Sequence, residues 1–300
     1  MFRKFSRVAW SLVLSLVVPG LGLIYARAWR RGFIVWTIGA TISCLQLLIP
    51  HALPPSALTI TIVFGLSVLY LPISLGTSVW AALLLWRAPP ARVRWYRSVW
   101  LAAAVAFGFS SGSVLVIGLA WHSYYIPSSS SYPTLTTCDY AFADQRARRP
   151  PVAYGDMVVF ATSTFPNTIY VKRVVGLPGD RIQLLNGRLA INGAMAPREP
   201  DGDETVTNSG NLATLHRYIE TLPNGTRHKL VQVSDDGPLD TTPVFVVPPG
   251  ELFVLGDNRD NSADSRMPTQ FGPVLLGNVM GRMTIIVWSC DRSRILSPIE

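Results

Sequence analysis

A chain of 300 residues, 49% hydrophobic and only 15% charged, has length for two or more units. Its formal charge of +8 is lopsided: residues 1–138 hold ten Lys or Arg and no acid, whereas the remaining 162 hold 16 basic and 18 acidic side chains. The excess lies between apolar runs, so it reads as a membrane topology signal and excludes a nucleic-acid footprint.

Four apolar segments occupy the first half, about Val8–Ala26, Gly32–Pro50, Leu58–Trp86 and Val99–Trp121. Each is near or above the roughly 18–20 residues that cross a bilayer as a helix. Basic clusters lie at Arg3/Lys4/Arg7, Arg27/Arg30/Arg31 and Arg87/Arg92/Arg94/Arg97, while the link His51–Pro55 carries no Lys or Arg. Four crossings would put two basic clusters outside, against the positive-inside preference. If the first run does not cross, all three clusters share the cytoplasmic side. Pro19-Gly20-Leu21-Gly22 at its middle favours a break, making it re-entrant or interfacial. The reading is a membrane region over residues 1–121 with about three transmembrane helices, and an extracytoplasmic domain over residues 122–300. A cleaved N-terminal signal ending near Ala26-Arg27-Ala28 is the rival reading.

From Asp139 onward the apolar residues come in short β-branched runs: Met157–Phe160, Ile169–Val171, Val174-Val175, Pro243–Val247, Leu252–Leu255 and Thr284–Trp288. Asn186-Gly187 and Asn192-Gly193 flank Arg188–Ile191 as hairpin dipeptides, and Asn224-Gly225 is a third. The fold expected is a mainly β catalytic domain of antiparallel sheets behind an α-helical transmembrane region. Pro197–Gly210, polar and rich in Gly and Asp, reads as an insertion or mobile loop. Cys138 and Cys290 are free to pair in an oxidising compartment or to pack as lone thiols, and Cys44 lies in a membrane span. No metal-ligand spacing is present, and the four histidines are scattered.

Gly256–Arg266 packs five charges, two hydroxyls and two amides directly after the strand-like Glu251–Leu255. A calcium loop is excluded, because neither register offers the Gly at position six or the Glu at position twelve. A polar network bracing a catalytic group fits better. The group is sought among three lysines, Lys4, Lys172 and Lys229. Only Lys172 lies in a strand-like run, sharing a face with Tyr170 and Val174 while Arg173 points to the other. Burial there disfavours the ammonium, as a lysine general base requires. An edge lysine facing water is the plain alternative. A nucleophile is offered by Ser128-Ser129-Ser130-Ser131, which prolines bracket at Pro127 and Pro133. The competing reading of that run is a flexible linker.

These segments resemble the type I signal peptidases, membrane-bound leader peptidases with a Ser-Lys pair. The likeness rests on Ile126–Leu135, Gly155–Phe160, Tyr170–Asp180, Gly256–Arg266 and Gly281-Arg282, in family order over about residues 123–292. It implies Ser130 as nucleophile and Lys172 as general base. Ser128 and the Ser130 N–H would form the oxyanion hole. Ser262 would orient the Lys172 amine, with Asp264 and Arg266 as braces, and Ile126, Pro127, Leu135, Tyr170 and Val171 would line the substrate site. The family usually has Gly at 129 and Met at 131, and Ser129 and Ser131 stand as fallback nucleophiles. The implied function is removal of signal peptides from exported preproteins at a bacterial inner membrane, multi-pass, with the catalytic domain on the periplasmic side. Preproteins and the lipid bilayer are the partners, with no cofactor, metal or nucleic acid. The alternatives are a dedicated maturation peptidase of the pilin-processing kind and an inactive membrane scaffold. A Ser-His-Asp hydrolase is disfavoured, since no matched segment holds a histidine.

Overall fold

The computed structural model describes residues 2–17, 19–26, 28–53, 55–87, 121–145, 152–208 and 211–299. It divides into two units, Met1–Pro54 with Leu58–Ala120, and Trp121–Glu300 with Pro55–Ala57.

The first unit contains helices α1 (Phe2–Val17), α2 (Leu21–Tyr25), α3 (Trp29–Ala52) and α4 (Ala57–Arg87). The first apolar run is not one helix: α1 ends at Val17, and Gly20 takes φ 90° before α2 begins. A Cβ on Gly20 would stand 2.3 Å from the Gly32 carbonyl oxygen, so only glycine lets this turn close on the start of α3. Serines join the helices. Ser74 of α4 donates to the Ser15 carbonyl of α1 at 2.8 Å, and the Gly22 N–H donates to Ser15 Oγ at 2.9 Å. Such bonds tie helices together where no hydrophobic difference drives them. Among the described residues α4 is the helix long and apolar enough to cross a membrane, with mean hydropathy 2.1. The expected span from Val99 lies outside the described residues as far as Ala120. Trp121, expected to end that span, is instead the buried first residue of a strand.

The second unit is built from β1 (Trp121–Tyr125), β2 (Tyr140–Asp144), β3 (Met157–Ala161), β4 (Ile169–Gly176), β5 (Arg181–Leu185), β6 (Arg188–Ile191), β7 (Ala194–Met195), β8 (Arg198–Asn208), β9 (Asn211–Thr221), β10 (Arg227–Gln232), β11 (Phe245–Val246), β12 (Glu251–Leu255), β13 (Val274–Leu275) and β14 (Val279–Trp288). Three antiparallel sheets result: a seven-stranded one in the order β1-β2-β14-β3-β4-β12-β13, a four-stranded β11-β5-β6-β7, and a three-stranded β10-β9-β8. The dipeptides Asn186-Gly187 and Asn192-Gly193 flank β6, with Asn186 at φ 48° and Asn192 at φ 54°, the left-handed values a tight hairpin demands.

The central strand β3 is buried along its whole length, which explains an unbroken apolar run without alternation. Val159 packs with Ile126, Leu135, Ala141 and Met283, whereas Val158 packs with Phe160, Val174, Val254 and Phe271. Each such side chain removed from water contributes about 1.5–3 kcal/mol. The two sides of β4 are covered unequally. Along Ile169–Arg173 it pairs with β3, but β12 pairs its other side only from Arg173 to Gly176. Among the described residues no strand covers that side of Ile169–Lys172.

Pro197–Gly210 departs from expectation. Arg198–Asn208 is strand β8, paired with β9 from Arg198↔Glu220 to Asn208↔Asn211. A bulge between Pro200 and Asp203, with Gly202 at φ 91°, absorbs the Gly and Asp that give this stretch a loop-like composition. Cys138 and Cys290 are joined as a disulfide, Cα–Cα 5.8 Å, and Cys44 is free.

Candidate active site

Three segments converge. The first is the loop Ile126–Asp139, whose neck is closed by the Ile126 N–H on the Asp139 carbonyl at 2.9 Å and the Cys138 N–H on the Ile126 carbonyl at 3.2 Å. The second is β4, and the third is the Gly256–Arg266 loop leaving β12. At their meeting point Lys172 Nζ lies 2.6 Å from Ser130 Oγ, and Ser128 Oγ lies 3.3 Å from the same oxygen. Lys172 is 3% exposed. Burial pushes its amine down to about 8; the Asp264 and Asp257 carboxylates push it back up, and the Arg266 guanidinium adds to the lowering. A lysine so placed is partly neutral near physiological pH and able to accept a proton.

The Gly256–Arg266 loop is a buried ionic frame. Asp264 pairs with Arg266 at 2.9 and 3.0 Å and accepts the Gly256 N–H at 3.1 Å. Burial alone would raise the Asp264 carboxyl, but Arg266 outweighs it and holds the group below the usual range. Arg266 also donates to the Arg259 carbonyl, and Arg259 in turn grips Glu220 of β9 at 2.6 Å. Ser262 Oγ is buried and does not make the hydrogen bond expected from it to the Lys172 amine; it lies by the Asp264 carboxylate and helps hold that group ionised. Ser262 also packs on Gly256, where an added Cβ would lie 2.2 Å from its Oγ and 2.5 Å from the Ser130 carbonyl oxygen.

The loop reaches the serines as well as the lysine. Asn258 donates through its N–H to the Ser130 carbonyl at 3.2 Å and through Nδ2 to the Ser129 carbonyl at 3.2 Å. Asn261 Nδ2 donates to Ser129 Oγ at 2.9 Å. Ser131 is 3% exposed and its Oγ donates to the Val171 carbonyl at 3.0 Å. Of the expected lining residues, Ile126 and Leu135 are buried in one cluster with Val171 against it, Tyr170 packs in the cluster on the other face, and Pro127 is exposed.

Strand alternation places Arg173 on the face away from Lys172 and says no more of it. In the fold it is fully buried and bidentate on Asp257 at 2.8 Å through both nitrogens, with a further bond to the Gly155 carbonyl at 2.7 Å. Thr134 closes this bridge, its hydroxyl on Asp257 and accepting from Arg173 Nη2 at 3.1 Å. An arginine amid Val171, Val174 and Val175 is the available signal, because a buried guanidinium needs an anion. Its partner, 84 positions away, stands in the polar Gly256–Arg266 run, but nothing in the sequence pairs the two.

Residues 92–288 match the family model described as Signal peptidase, peptidase S26. The chain belongs to this family. The signal peptidase I of Rickettsia akari (strain Hartford) is 40% identical over 125 residues, covering 40% of this chain and 46% of that protein. That of Pseudomonas aeruginosa PAO1 is 34% identical over 181 residues, covering 54% of this chain and 62% of its own length. A crystal structure of a signal peptidase I from Enterococcus faecalis V583 is 25% identical and covers 45% of this chain and 98% of that one, with a TM-score of 0.28. The chain thus spans about half the length of the Rickettsia relatives it matches, and family membership rests on the S26 match.

Proposed function

We propose that this protein is a membrane-bound serine endopeptidase that removes signal peptides from exported preproteins with a Ser130–Lys172 dyad. The observation that carries the reading is a lysine amine, buried and drawn down to about 8, at 2.6 Å from a serine hydroxyl. Neutral Lys172 takes the Ser130 proton as Oγ attacks the scissile carbonyl carbon. The tetrahedral oxyanion is held by the Ser128 hydroxyl and the Ser130 N–H; losing one such donor costs about 3–4 kcal/mol. As the C–N bond breaks, Lys172 returns the proton to the leaving amine, and the mature chain departs. Lys172 then deprotonates a water, which hydrolyses the Ser130 ester and frees the signal peptide. Asp264 and Arg266 hold the loop, with Ser262 packed on Gly256 as part of the same brace. The uncovered side of Ile169–Lys172 suits a substrate that adds as a strand, with Pro127, Tyr170 and Val171 at its seat and the buried Ile126 and Leu135 backing it from the cluster that Val171 packs against.

The membrane setting is part of the proposal. Arg30 and Arg31 lie at the start of α3 and Arg87 at the end of α4, while the short link between the helices has no Lys or Arg. Two crossings therefore put both basic ends on the cytoplasmic side. Gln46 Nε2 donates to Ser67 Oγ at 2.7 Å, a polar tie between the two helices. The β domain is assigned to the periplasmic side, where the Cys138–Cys290 disulfide is at home. The test is cleavage of a preprotein by the full chain, with the new N-terminus mapped. Ser130→Ala and Lys172→Ala are each expected to abolish the product, and full activity in either removes the dyad. Unrelated precursors cut at comparable rates speak for a general signal peptidase over a dedicated one.

A further inference from the structure

Four consecutive serines look interchangeable, yet each hydroxyl has its own partner. Ser128 Oγ is 3.3 Å from Ser130 Oγ, Ser129 Oγ accepts from Asn261 at 2.9 Å, Ser130 Oγ accepts from Lys172 at 2.6 Å, and Ser131 Oγ donates to the Val171 carbonyl at 3.0 Å. Ser131 directly follows Ser130, and Val171 directly precedes Lys172. The last two bonds are therefore adjacent rungs between the same two pieces of chain. We propose that Ser131 is a positioning residue that ties the Ser130 segment to the strand bearing Lys172, with Ser129 and Asn261 as a second tie to the Gly256–Arg266 loop. The inference rests on the Ser130–Lys172 reading of the site.

Strand β4 is anchored by its pairing with β3, whereas Ser130 sits in a loop braced by the turn bonds Tyr132 N–H to the Ser129 carbonyl at 3.1 Å and Leu135 N–H to the Ser131 carbonyl at 2.9 Å. The Asn258 bonds grip the Ser129 and Ser130 carbonyls from the side of the third segment. Thr134 Oγ1 also meets β4, accepting from the Arg173 side chain at 3.1 Å, but the Ser131 rung runs to the β4 main chain directly beside Lys172. It is also the best shielded from water of the four, at 3% exposure, so little solvent competes for its acceptor. Its hydroxyl is spent on a main-chain oxygen, which leaves Ser130 as the hydroxyl aimed at the amine. An error of about 1 Å in the placement of a reacting atom costs on the order of 100-fold in rate. A rung one residue away from each reacting group limits such drift without touching substrate.

The experiment uses the full chain in detergent or lipid, comparing wild type, Ser131→Ala, Ser129→Ala, Asn261→Ala and the Ser129→Ala/Asn261→Ala pair, with Ser130→Ala as control. Ser131→Ala is expected to lower kcat by about 10-fold or more while KM stays within about twofold. Amide exchange at Tyr132 and Leu135 is expected to quicken by about 10-fold with β3 and β4 amides unchanged. Ser129→Ala and Asn261→Ala should cost alike, and the pair no more than either. Unchanged kcat and unchanged exchange in Ser131→Ala overturn the proposal, as does a fall in melting temperature with exchange raised uniformly. Cleavage by Ser130→Ala at the wild-type rate would sink the dyad instead, and the exchange data would then judge the rung alone.

Discussion

With an amine at about 8, roughly a tenth of Lys172 is neutral at pH 7, and the fraction climbs through pH 8. The pH profile of kcat/KM is expected to rise with an apparent pKa near 8 and level above it; a profile flat from pH 6 to 9 would contradict the assignment. The same depression costs stability. The folded value lies below the 10.5 of a free lysine, so between about 8 and 10.5 the unfolded chain binds more protons and stability rises with pH. Below pH 8 the burdened amine lowers stability by about 3 kcal/mol, at 1.4 kcal/mol per pH unit. Lys172→Met is expected to be more stable than wild type in urea at pH 7, with the gap closing toward pH 10.5. At this scale the lysine is half legible in the sequence: its apolar strand neighbours point to burial, but an edge position facing water fits the same pattern until the strand order is known. The nucleophile is not legible: four identical neighbours carry no internal distinction, and the contacts that separate them come from positions 171, 172 and 261. Arg173 is half legible, its burial implied by its neighbours and its anion hidden by distance in the chain.

The Gly256–Arg266 loop does its work through closeness as much as through charge. Gly256 lies where a methyl would meet Ser262 Oγ at 2.2 Å and the Ser130 carbonyl at 2.5 Å, and the second contact is backbone that cannot swing aside. Gly256→Ala is expected to shift the Ser130 segment and cut kcat by about 100-fold, the cost of a displacement near 1 Å, with stability lowered by about 1–3 kcal/mol from overpacking. Steady-state kinetics and a urea melt on the same sample read both. The density of polar residues announces a network here, but as a brace for the lysine alone. That Asn258 and Asn261 also hold the serines depends on the loop folding across the sheet, which local composition does not encode. The β8–β9 hairpin escapes a sequence reading for a related reason. Gly and Asp usually signal loops, and here a bulge lets a paired strand contain both.

For the molecule as a whole, the Cys138–Cys290 bond spans 152 residues and links the base of the Ser130 loop to the segment after β14. Closing a loop of that length restricts the unfolded chain by about 5 kcal/mol in the entropy picture, of which 2–4 kcal/mol is the usual yield. Cys138→Ser/Cys290→Ser is expected to unfold at correspondingly lower urea, and a wild type equally stable with and without a dithiol would show the bond to be idle. Charge asymmetry makes the two-part organisation plain from sequence, because acids absent from one stretch and balanced in another need no structure to be seen. The pairing of the cysteines does not follow, since two thiols without a metal spacing are as well packed as bonded. Nor does the order of the strands, which join β14 between β2 and β3 across more than a hundred positions. Strand order also sets how a peptide would be measured. Because β12 zips onto β4 from Arg173 onward, an incoming chain laid along Ile169–Lys172 meets a wall at the lysine. Under the proposed dyad no separate ruler is then needed: the bond cut would be the one lying where room for the guest runs out.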